Sequence, residues 1–334
     1  MTRVDVHWHH APKPFVKAVM SGAIEIEGKL DSSGPIPVIE VKRGRVRITP
    51  AMAELEPAMA VLESSGMDYA TPSLVPPLSQ FEASPEIAIN VARSVNDGFA
   101  ELREASNDRL QPLAHLPLQD PRASVLEMRR ALGELGLAGV AVGTNINGRN
   151  LGDESLRPFW RAVAEEDVFV FVHPENPMGG ERLREHELRN FVGFPIDTAA
   201  AVASMIFDGV YEEVGPLKTV YAHGGGAFPY IFGRWEHGYA ERVAGSNAKS
   251  RNPFSYLQSL YCDSLVHSGQ SLRFLTDLVG VDHVLLGGDY PFNMGDPTPF
   301  ETMAAVIDAD NDRELIGGRT AARLLGLEER RSGR

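Results

Sequence analysis

The sequence predicts an α/β protein of the (β/α)8 barrel type, with a single barrel domain. Eight short apolar runs rich in β-branched residues recur along the 334 residues. Stretches with helical spacing of apolar residues separate these runs, and polar residues stand where several of the runs end. Strands that alternate with helices are typical of a parallel sheet covered by helices. A doubly wound open sheet is the structural alternative.

The predicted strands are continuous apolar runs rather than alternating ones. Continuous runs are typical of strands that are buried on both faces of a parallel sheet. The clearest run reads Val-Phe-Val-Phe-Val-His over residues 168–173. The eight predicted strands cover residues 4–9, 67–71, 110–116, 139–143, 168–173, 218–223, 260–263 and 284–289.

Between the runs, apolar residues recur at the spacing of amphipathic helices. In one such segment, Ile87, Val91, Val95, Phe99 and Leu102 lie on one face. The predicted helices cover residues 50–65, 86–106, 123–135, 156–166, 198–213, 230–243, 271–279, 302–308 and 312–325.

Residues 14–49 fit no barrel helix. They contain two alternating segments, 24–27 and 37–41, and the turn signal Asp-Ser-Ser-Gly at 31–34. We therefore predict an inserted β-ribbon or lid after strand 1. The barrel domain is predicted to cover residues 1–327, and residues 328–334 are predicted to be a disordered tail.

Composition limits the class of function. The chain has 32 Lys and Arg against 45 Asp and Glu, a net charge of −13. This acidic balance argues against binding to nucleic acid or to an anionic membrane. The single cysteine, Cys262, excludes an intrachain disulfide framework and a Cys-based zinc knuckle. Since the first residues lack an apolar signal region and no apolar run approaches the roughly 20 residues of a membrane helix, a cytoplasmic location is expected.

Polar side chains stand at the ends of four predicted strands. His7 and His9 lie two residues apart in the first run, so their imidazoles point the same way. His173, His223 and Asp289 end runs 5, 6 and 8. Barrel active sites lie at the carboxyl ends of the strands, so these five side chains are expected to meet at one mouth.

Imidazole and carboxylate ligands without a thiolate suit Zn²⁺, Mn²⁺ or Fe²⁺. A single histidine in an apolar run is more often a core residue than a ligand. The prediction of one divalent-metal site therefore depends on the joint placement of all five residues at strand ends.

Several motifs together resemble one known family. The opening Val-Asp-Val-His-Trp-His at 4–9 is similar to the Asp-x-His-x-His opening of the amidohydrolase superfamily. The segments 172–174, 178–180, 223–228 and 286–292 resemble the branch of 2-amino-3-carboxymuconate 6-semialdehyde decarboxylase, which also holds aromatic-acid decarboxylases. The resemblance covers nearly the whole chain and is loosest over residues 14–49.

The resemblance implies one divalent metal, usually Zn²⁺, bound by His7, His9, His173 and Asp289. It implies that His223 does not bind the metal but hydrogen-bonds the metal-bound water and acts as the acid–base group. Asp289 is accordingly counted both as a ligand and among the catalytic residues.

The resemblance also implies how a carboxylic acid substrate is held. Two arginines would bind its carboxylate: Arg47, with Arg45 as a possible substitute, and Arg234 from the neighbouring subunit of a homodimer. Phe292 would line the substrate pocket. Where the decarboxylase has a pocket tryptophan, this sequence has a polar segment at 184–188, and His186 is the candidate substrate residue there.

We therefore expect a metal-dependent, non-oxidative decarboxylase of an aromatic or conjugated unsaturated carboxylic acid. The first alternative is a hydrolase or hydratase that acts on a C–N, C–O, C–C or C=C bond with the same metal site. The second is a non-catalytic barrel kept as a scaffold or binding protein.

Overall fold

The computed structural model describes residues 2–41, 44–242 and 251–327. Eight parallel strands follow one another around a barrel, as predicted. We number them β1 to β8: they are β1 Val4–His10, β2 Tyr69–Leu74, β3 Leu113–His115, β4 Gly139–Gly143, β5 Phe169–His173, β6 Lys218–Tyr221, β7 Tyr261–Asp263 and β8 Val284–Leu285.

The barrel closes through backbone contacts between two sheets. Strands β3 to β8 form one six-stranded parallel sheet, and β1 pairs with β2 in a second one. Single bridges join Ala70 to Leu110 and Trp8 to Tyr290. The amide of Val6 also donates to the carbonyl of Leu286 at 2.9 Å. These contacts bring β1 beside the chain that follows β8, and the open-sheet alternative is wrong.

Both faces of the barrel wall are buried, which explains the continuous apolar runs. Val4, Val6, Phe171, Val220 and Leu285 pack inside the barrel against the last helical segment of the described chain. The outward side chains of the barrel strands, such as Val140, Val170 and Val172, pack against the surrounding helices. Each strand therefore needs apolar residues at successive positions.

The helices agree with the predicted segments, with three breaks. Predicted helix 50–65 divides at Glu54, whose backbone is extended with a φ of −106°. Predicted helix 198–213 divides at Gly209, whose positive φ of 76° ends a right-handed helix. Predicted helix 312–325 contains a π-helical turn over Leu315–Arg319. The α-helices are Lys13–Ser21, Pro50–Ala53, Leu55–Ser64, Pro85–Ala105, Pro121–Gly133, Arg157–Glu165, Phe194–Phe207, Val210–Val214, Phe228–Ala240, Gly269–Val279, Pro299–Ala304, Asp310–Glu314 and Thr320–Leu324.

The segment after β1 differs from the prediction. Its first part is a helix, Lys13–Ser21, which buries Phe15, Val16 and Val19 and packs against the helix Pro85–Ala105. The sequence contained indications of both ends of this helix, because proline near the first helical position and glycine after the last helical position favour a helix. Here Pro14 and Gly22 occupy those positions, and Gly22 has a φ of 76°.

The ribbon is therefore shorter than predicted. It is a three-stranded antiparallel sheet of Lys29–Asp31, Val38–Val41 and Gly44–Arg47. The alternating segment 24–27 forms no strand. The tail 328–334 lies outside the described residues, and the single-domain boundary at residue 327 stays a prediction.

Among the described residues, and unlike the sequence expectation, one helical run, Arg189–Phe207, is long and apolar enough to cross a membrane by length and composition. Half of its apolar window is buried inside the protein. Val202, Met205 and Ile206 have no exposed surface, so this run forms part of the barrel's helical layer.

Candidate metal centre and active-site cleft

Four side chains meet at the carboxyl end of the barrel, as the sequence predicted. One potential ligand atom from each of His7, His9, His173 and Asp289 lies within 4.8 Å of the other three. The Nε2 atoms of His7 and His9 are 3.3 Å and 3.2 Å from Oδ1 of Asp289. All four residues are buried. The first and last members of this cluster are 282 positions apart in the chain.

The local backbone explains how these groups converge. His7 and His9 lie two apart on β1 and therefore face the same side. Asp289 lies just after β8, and its amide donates to the carbonyl of His7 at 2.7 Å. A Cβ atom on Gly288 would lie 2.5 Å from Oδ2 of Asp5, so a larger residue there would have to displace this carboxylate.

The four residues fit a divalent cation. His7 Nε2, His9 Nε2, His173 Nδ1 and Asp289 Oδ1 are buried atoms without a hydrogen-bond partner in the described chain. Burial alone would lower the pKa of His7, but Asp289 and Asp263 raise it to about 10. Burial lowers the pKa of His9 and of His173, so these two imidazoles are neutral and their ring nitrogens can bind a cation. Three imidazoles with one carboxylate are a donor set that Zn²⁺, Mn²⁺ and Fe²⁺ accept. These residues form the candidate site for one divalent cation.

His223 lies beside this group without belonging to it. Its ring centroid is 5.0 Å from that of His7 and 5.2 Å from that of His173. Burial, and then the neighbouring His7, lower the pKa of His223 to about 4. The imidazole is therefore neutral at neutral pH, and its Nδ1 has no partner among the described residues. A neutral imidazole in this place can accept a proton.

Sequence reasoning gave no role to Asp263, which connects the metal site to His223. Its Oδ2 accepts a hydrogen bond from His7 Nδ1 at 2.6 Å and from the amide of His223 at 2.9 Å. Its Oδ1 accepts from the amide of Gly224 at 2.8 Å. The sequence did contain an indication of its position, because Asp263 is the last residue of the seventh predicted strand, just as His173 is the last residue of the fifth.

A cleft of about 720 Å³ opens above the cluster. His173, His223 and Asp289 lie at its floor, and Phe292 lines its wall. The Phe292 ring lies edge-on to His9, with 5.2 Å between centroids. Phe194, Pro195, Leu265 and Val266 add apolar surface. An aromatic or unsaturated molecule of modest size suits a cleft of this volume and lining.

The other predicted substrate residues do not line this cleft in the single chain. Arg47 and Arg45 are exposed on the ribbon strand Gly44–Arg47, and Arg45 lies 3.9 Å from Glu40. Arg234 is exposed on the helix Phe228–Ala240. The His186 side chain is 84% exposed and lies 3.8 Å from Glu185. Their roles in substrate binding stay predictions, and for Arg234 the prediction involves a second subunit.

Sequence reasoning also gave no role to Arg189, which does line the cleft. It lies three residues after His186, at the start of a π-helical turn, Arg189–Gly193. This segment carries no strand or clear amphipathic pattern, so nothing in the sequence marked its orientation.

Known proteins resemble this chain over most of its length. A 2-amino-3-carboxymuconate-6-semialdehyde decarboxylase of Dictyostelium discoideum is 36% identical over 269 residues, which cover 80% of this chain and 75% of that protein. A gamma-resorcylate decarboxylase of a Rhizobium strain is 28% identical over 288 residues, or 81% of this chain and 86% of that protein.

Among solved structures, the apo form of the Metarhizium anisopliae IDCase superposes with a TM-score of 0.84 at 25% identity, covering 98% of this chain and 97% of that one. The relatives are named as decarboxylases, which favours a decarboxylase over the hydrolase or hydratase alternative. The family model described as amidohydrolase matches residues 4–327. The predicted membership is confirmed: the chain belongs to the amidohydrolase family.

Proposed function

We propose that this protein is a metal-dependent, non-oxidative decarboxylase of an aromatic or conjugated unsaturated carboxylic acid. The observation that carries the proposal is the buried group of His7, His9, His173 and Asp289 with His223 beside it at the floor of a cleft. The decarboxylases among the relatives support the reaction class.

We propose zinc as the resident ion, because imidazole nitrogen and carboxylate oxygen are ligands that Zn²⁺ takes in proteins, and the four residues each present one such atom. Manganese and iron suit the same donors. When bound, a divalent ion acts as a Lewis acid on oxygen ligands and supplies a local positive charge.

The protein's own residues would position the substrate and move the proton. When the bond to the departing CO₂ breaks, the ring carbon keeps the electron pair and must receive a proton. His223 would take up this proton from water and deliver it to that carbon, so that the C–C bond to CO₂ is replaced by a C–H bond. Phe292 would hold the unsaturated ring edge-on above the floor, and the apolar walls would limit the access of water.

We also propose that the active form is a homodimer in the cytoplasm, with Arg234 directed at the neighbouring subunit's cleft. Tyr230, one helical turn before Arg234, is 86% exposed, and Phe254 nearby is 55% exposed. Phe254 packs against Phe232 of the same helix, with 5.9 Å between ring centroids. Exposed aromatic residues around an arginine are typical of protein interfaces.

Release of CO₂ from a panel of hydroxylated benzoic acids and conjugated unsaturated acids tests the reaction. We expect CO₂ and the decarboxylated product in equal amounts from the zinc-loaded protein. We expect neither from a protein whose metal has been removed. Hydrolysis or hydration of a substrate in the same panel, with no CO₂ from any acid, would contradict the proposal.

A further inference from the structure

Tyr290 directly follows Asp289 in the chain and contacts the strand that carries two of the other candidate ligands. Its backbone carbonyl accepts a hydrogen bond from the amide of His9 at 2.7 Å. Its ring packs against the ring of Trp8, with 4.4 Å between centroids. Trp8 stands between His7 and His9 on β1 and is buried in the core between the barrel wall and the helices. Both the backbone and the ring of Tyr290 therefore hold the chain after β8 against β1.

The hydroxyl group of Tyr290 contacts a third element. It donates to the backbone carbonyl of Ala51 at 2.8 Å. Ala51 belongs to the short helix Pro50–Ala53, and the next carbonyl of this helix, that of Met52, accepts from the amide of Ala11 at 2.8 Å. The carbonyls at the end of a helix have no partner within it, so donors from outside satisfy them. This helix is thus bonded both to the chain at the end of β1 and to the chain after β8.

Asp289 has a backbone conformation that its neighbours must hold in place. Its φ is 60°, in the left-handed region that residues other than glycine seldom adopt. Such a conformation costs free energy and persists where the surrounding contacts fix it. In this conformation Oδ1 of Asp289 lies 3.3 Å from Nε2 of His7 and 3.2 Å from Nε2 of His9. The contacts of Tyr290 therefore bear directly on where the carboxylate lies.

We infer that Tyr290 is a positioning residue for the metal site: the bond from its hydroxyl to Ala51 holds Asp289 where its carboxylate binds the cation. Without this bond, the chain after β8 loses one of its attachments beside β1, and the carboxylate is less well placed against the imidazoles. The helix Pro50–Ala53 follows the ribbon strand Gly44–Arg47 almost directly, so the bond also connects the ribbon to the metal site. The inference concerns metal binding and goes beyond the proposed reaction.

The affinity of the purified full chain for Zn²⁺, measured by competition with a chelator, tests this inference. Tyr290→Phe removes the hydroxyl group and keeps the ring that packs against Trp8. We expect this variant to bind zinc about tenfold more weakly than the native protein, at the lower end of the loss that removal of a ligand-orienting partner causes. The free energy of unfolding of the metal-free protein is measured on the same samples, which separates metal affinity from stability.

Tyr211→Phe is the matched control. The Tyr211 hydroxyl is also hydrogen-bonded, to Tyr221 at 2.9 Å and to Thr219 at 3.1 Å, on the side of β6 that faces the helices. This variant should lower the stability of the metal-free protein and keep the native affinity for zinc. The inference is overturned if Tyr290→Phe binds zinc as tightly as the native protein, whatever its stability, or if Tyr211→Phe weakens zinc binding equally. No turnover is measured, so the result is independent of whether the protein releases CO₂.

Discussion

His173 ends β5 and His223 follows the neighbouring strand β6, and their rings lie 5.2 Å apart, yet only His173 belongs to the group of four candidate ligands. Two similar side chains in nearly the same place are therefore expected to serve different purposes. The difference arises from the backbone, because His223 has a φ of 55° and begins a glycine turn, whereas His173 ends a regular strand.

We predict that His173→Ala loses both metal and turnover, whereas His223→Ala abolishes turnover and keeps most of the metal. Elemental analysis of the two purified variants, beside their rates of CO₂ release, measures both effects. Equal loss of metal in the two variants would contradict the roles given to them.

Asp263 is expected to act through His7 and not on the substrate. Partners of this kind orient a ligand, and their removal typically costs about 10- to 100-fold in metal affinity. We therefore predict a loss of this size in Asp263→Asn, measured by competition with a chelator. Asp282→Asn is the control, because Asp282 makes a similar bond to His283 at 2.9 Å on the surface. Equal affinities in the two variants would show that Asp263 does not orient His7.

His115 gives a pH dependence that is separate from the metal site. Burial lowers its pKa to about 4, while the unfolded chain has a value near 6.5. The unfolded state therefore binds the proton first as the pH falls. Its contribution to stability is complete above about pH 6.5 and is lost between 6.5 and 4, by about 3 kcal/mol at most.

We predict that His115→Gln flattens this part of the curve of unfolding free energy against pH. Glutamine can still donate to the Ser79 carbonyl, which His115 Nε2 contacts at 2.8 Å. Denaturant titrations of both proteins at several pH values measure the slopes. Parallel curves between pH 6.5 and 4 would exclude this contribution of His115.

Among elements, β1 and the chain after β8 decide whether the site forms. Gly288 lies between them and leaves room for Asp5, whose Oδ1 accepts from the Gly288 amide at 2.9 Å. In Gly288→Ala the new Cβ would meet Oδ2 of Asp5 at 2.5 Å. We predict a loss of about 1–3 kcal/mol in unfolding free energy, together with weaker metal binding.

Gly133→Ala is the matched control for this steric effect. Gly133 ends the helix Pro121–Gly133, and a Cβ there would meet nothing within 4 Å. Alanine should leave stability unchanged or raise it by up to about 1 kcal/mol. Thermal unfolding of both variants measures the difference in stability, and metal content is measured on the same samples. If Gly288→Ala were as stable as Gly133→Ala, the steric role given to Gly288 would be contradicted.

The elements were predictable where packing on two faces constrains them. All eight strands could be read from continuous apolar runs such as 168–173, because both sides of the barrel wall are buried. The helix Lys13–Ser21 was missed, because apolar and polar residues alternate at 24–27 and 37–41 and the whole of residues 14–49 was therefore predicted to be one ribbon. The strand-end rule found the four residues of the candidate metal site because it depends on topology alone. Arg189 could not be found that way, because its side chain reaches the cleft from an irregular turn.

At the scale of the whole molecule, barrel closure is what makes the site. The contacts between β1 and the chain after β8 bring His7 to Asp289 across nearly the full length of the sequence. A cation bound there joins β1, β5 and the chain after β8, and it should stabilise the folded state by mass action.

The central claim is that one divalent ion is bound by His7, His9, His173 and Asp289. Anomalous diffraction at the zinc absorption edge, from crystals of the zinc-loaded protein, tests it most directly. The account predicts one strong peak per chain, at about 2.0–2.2 Å from one atom of each of these residues, with His223 outside bonding distance. No peak at this site, or an ion bound by His223 in place of His173, would contradict it.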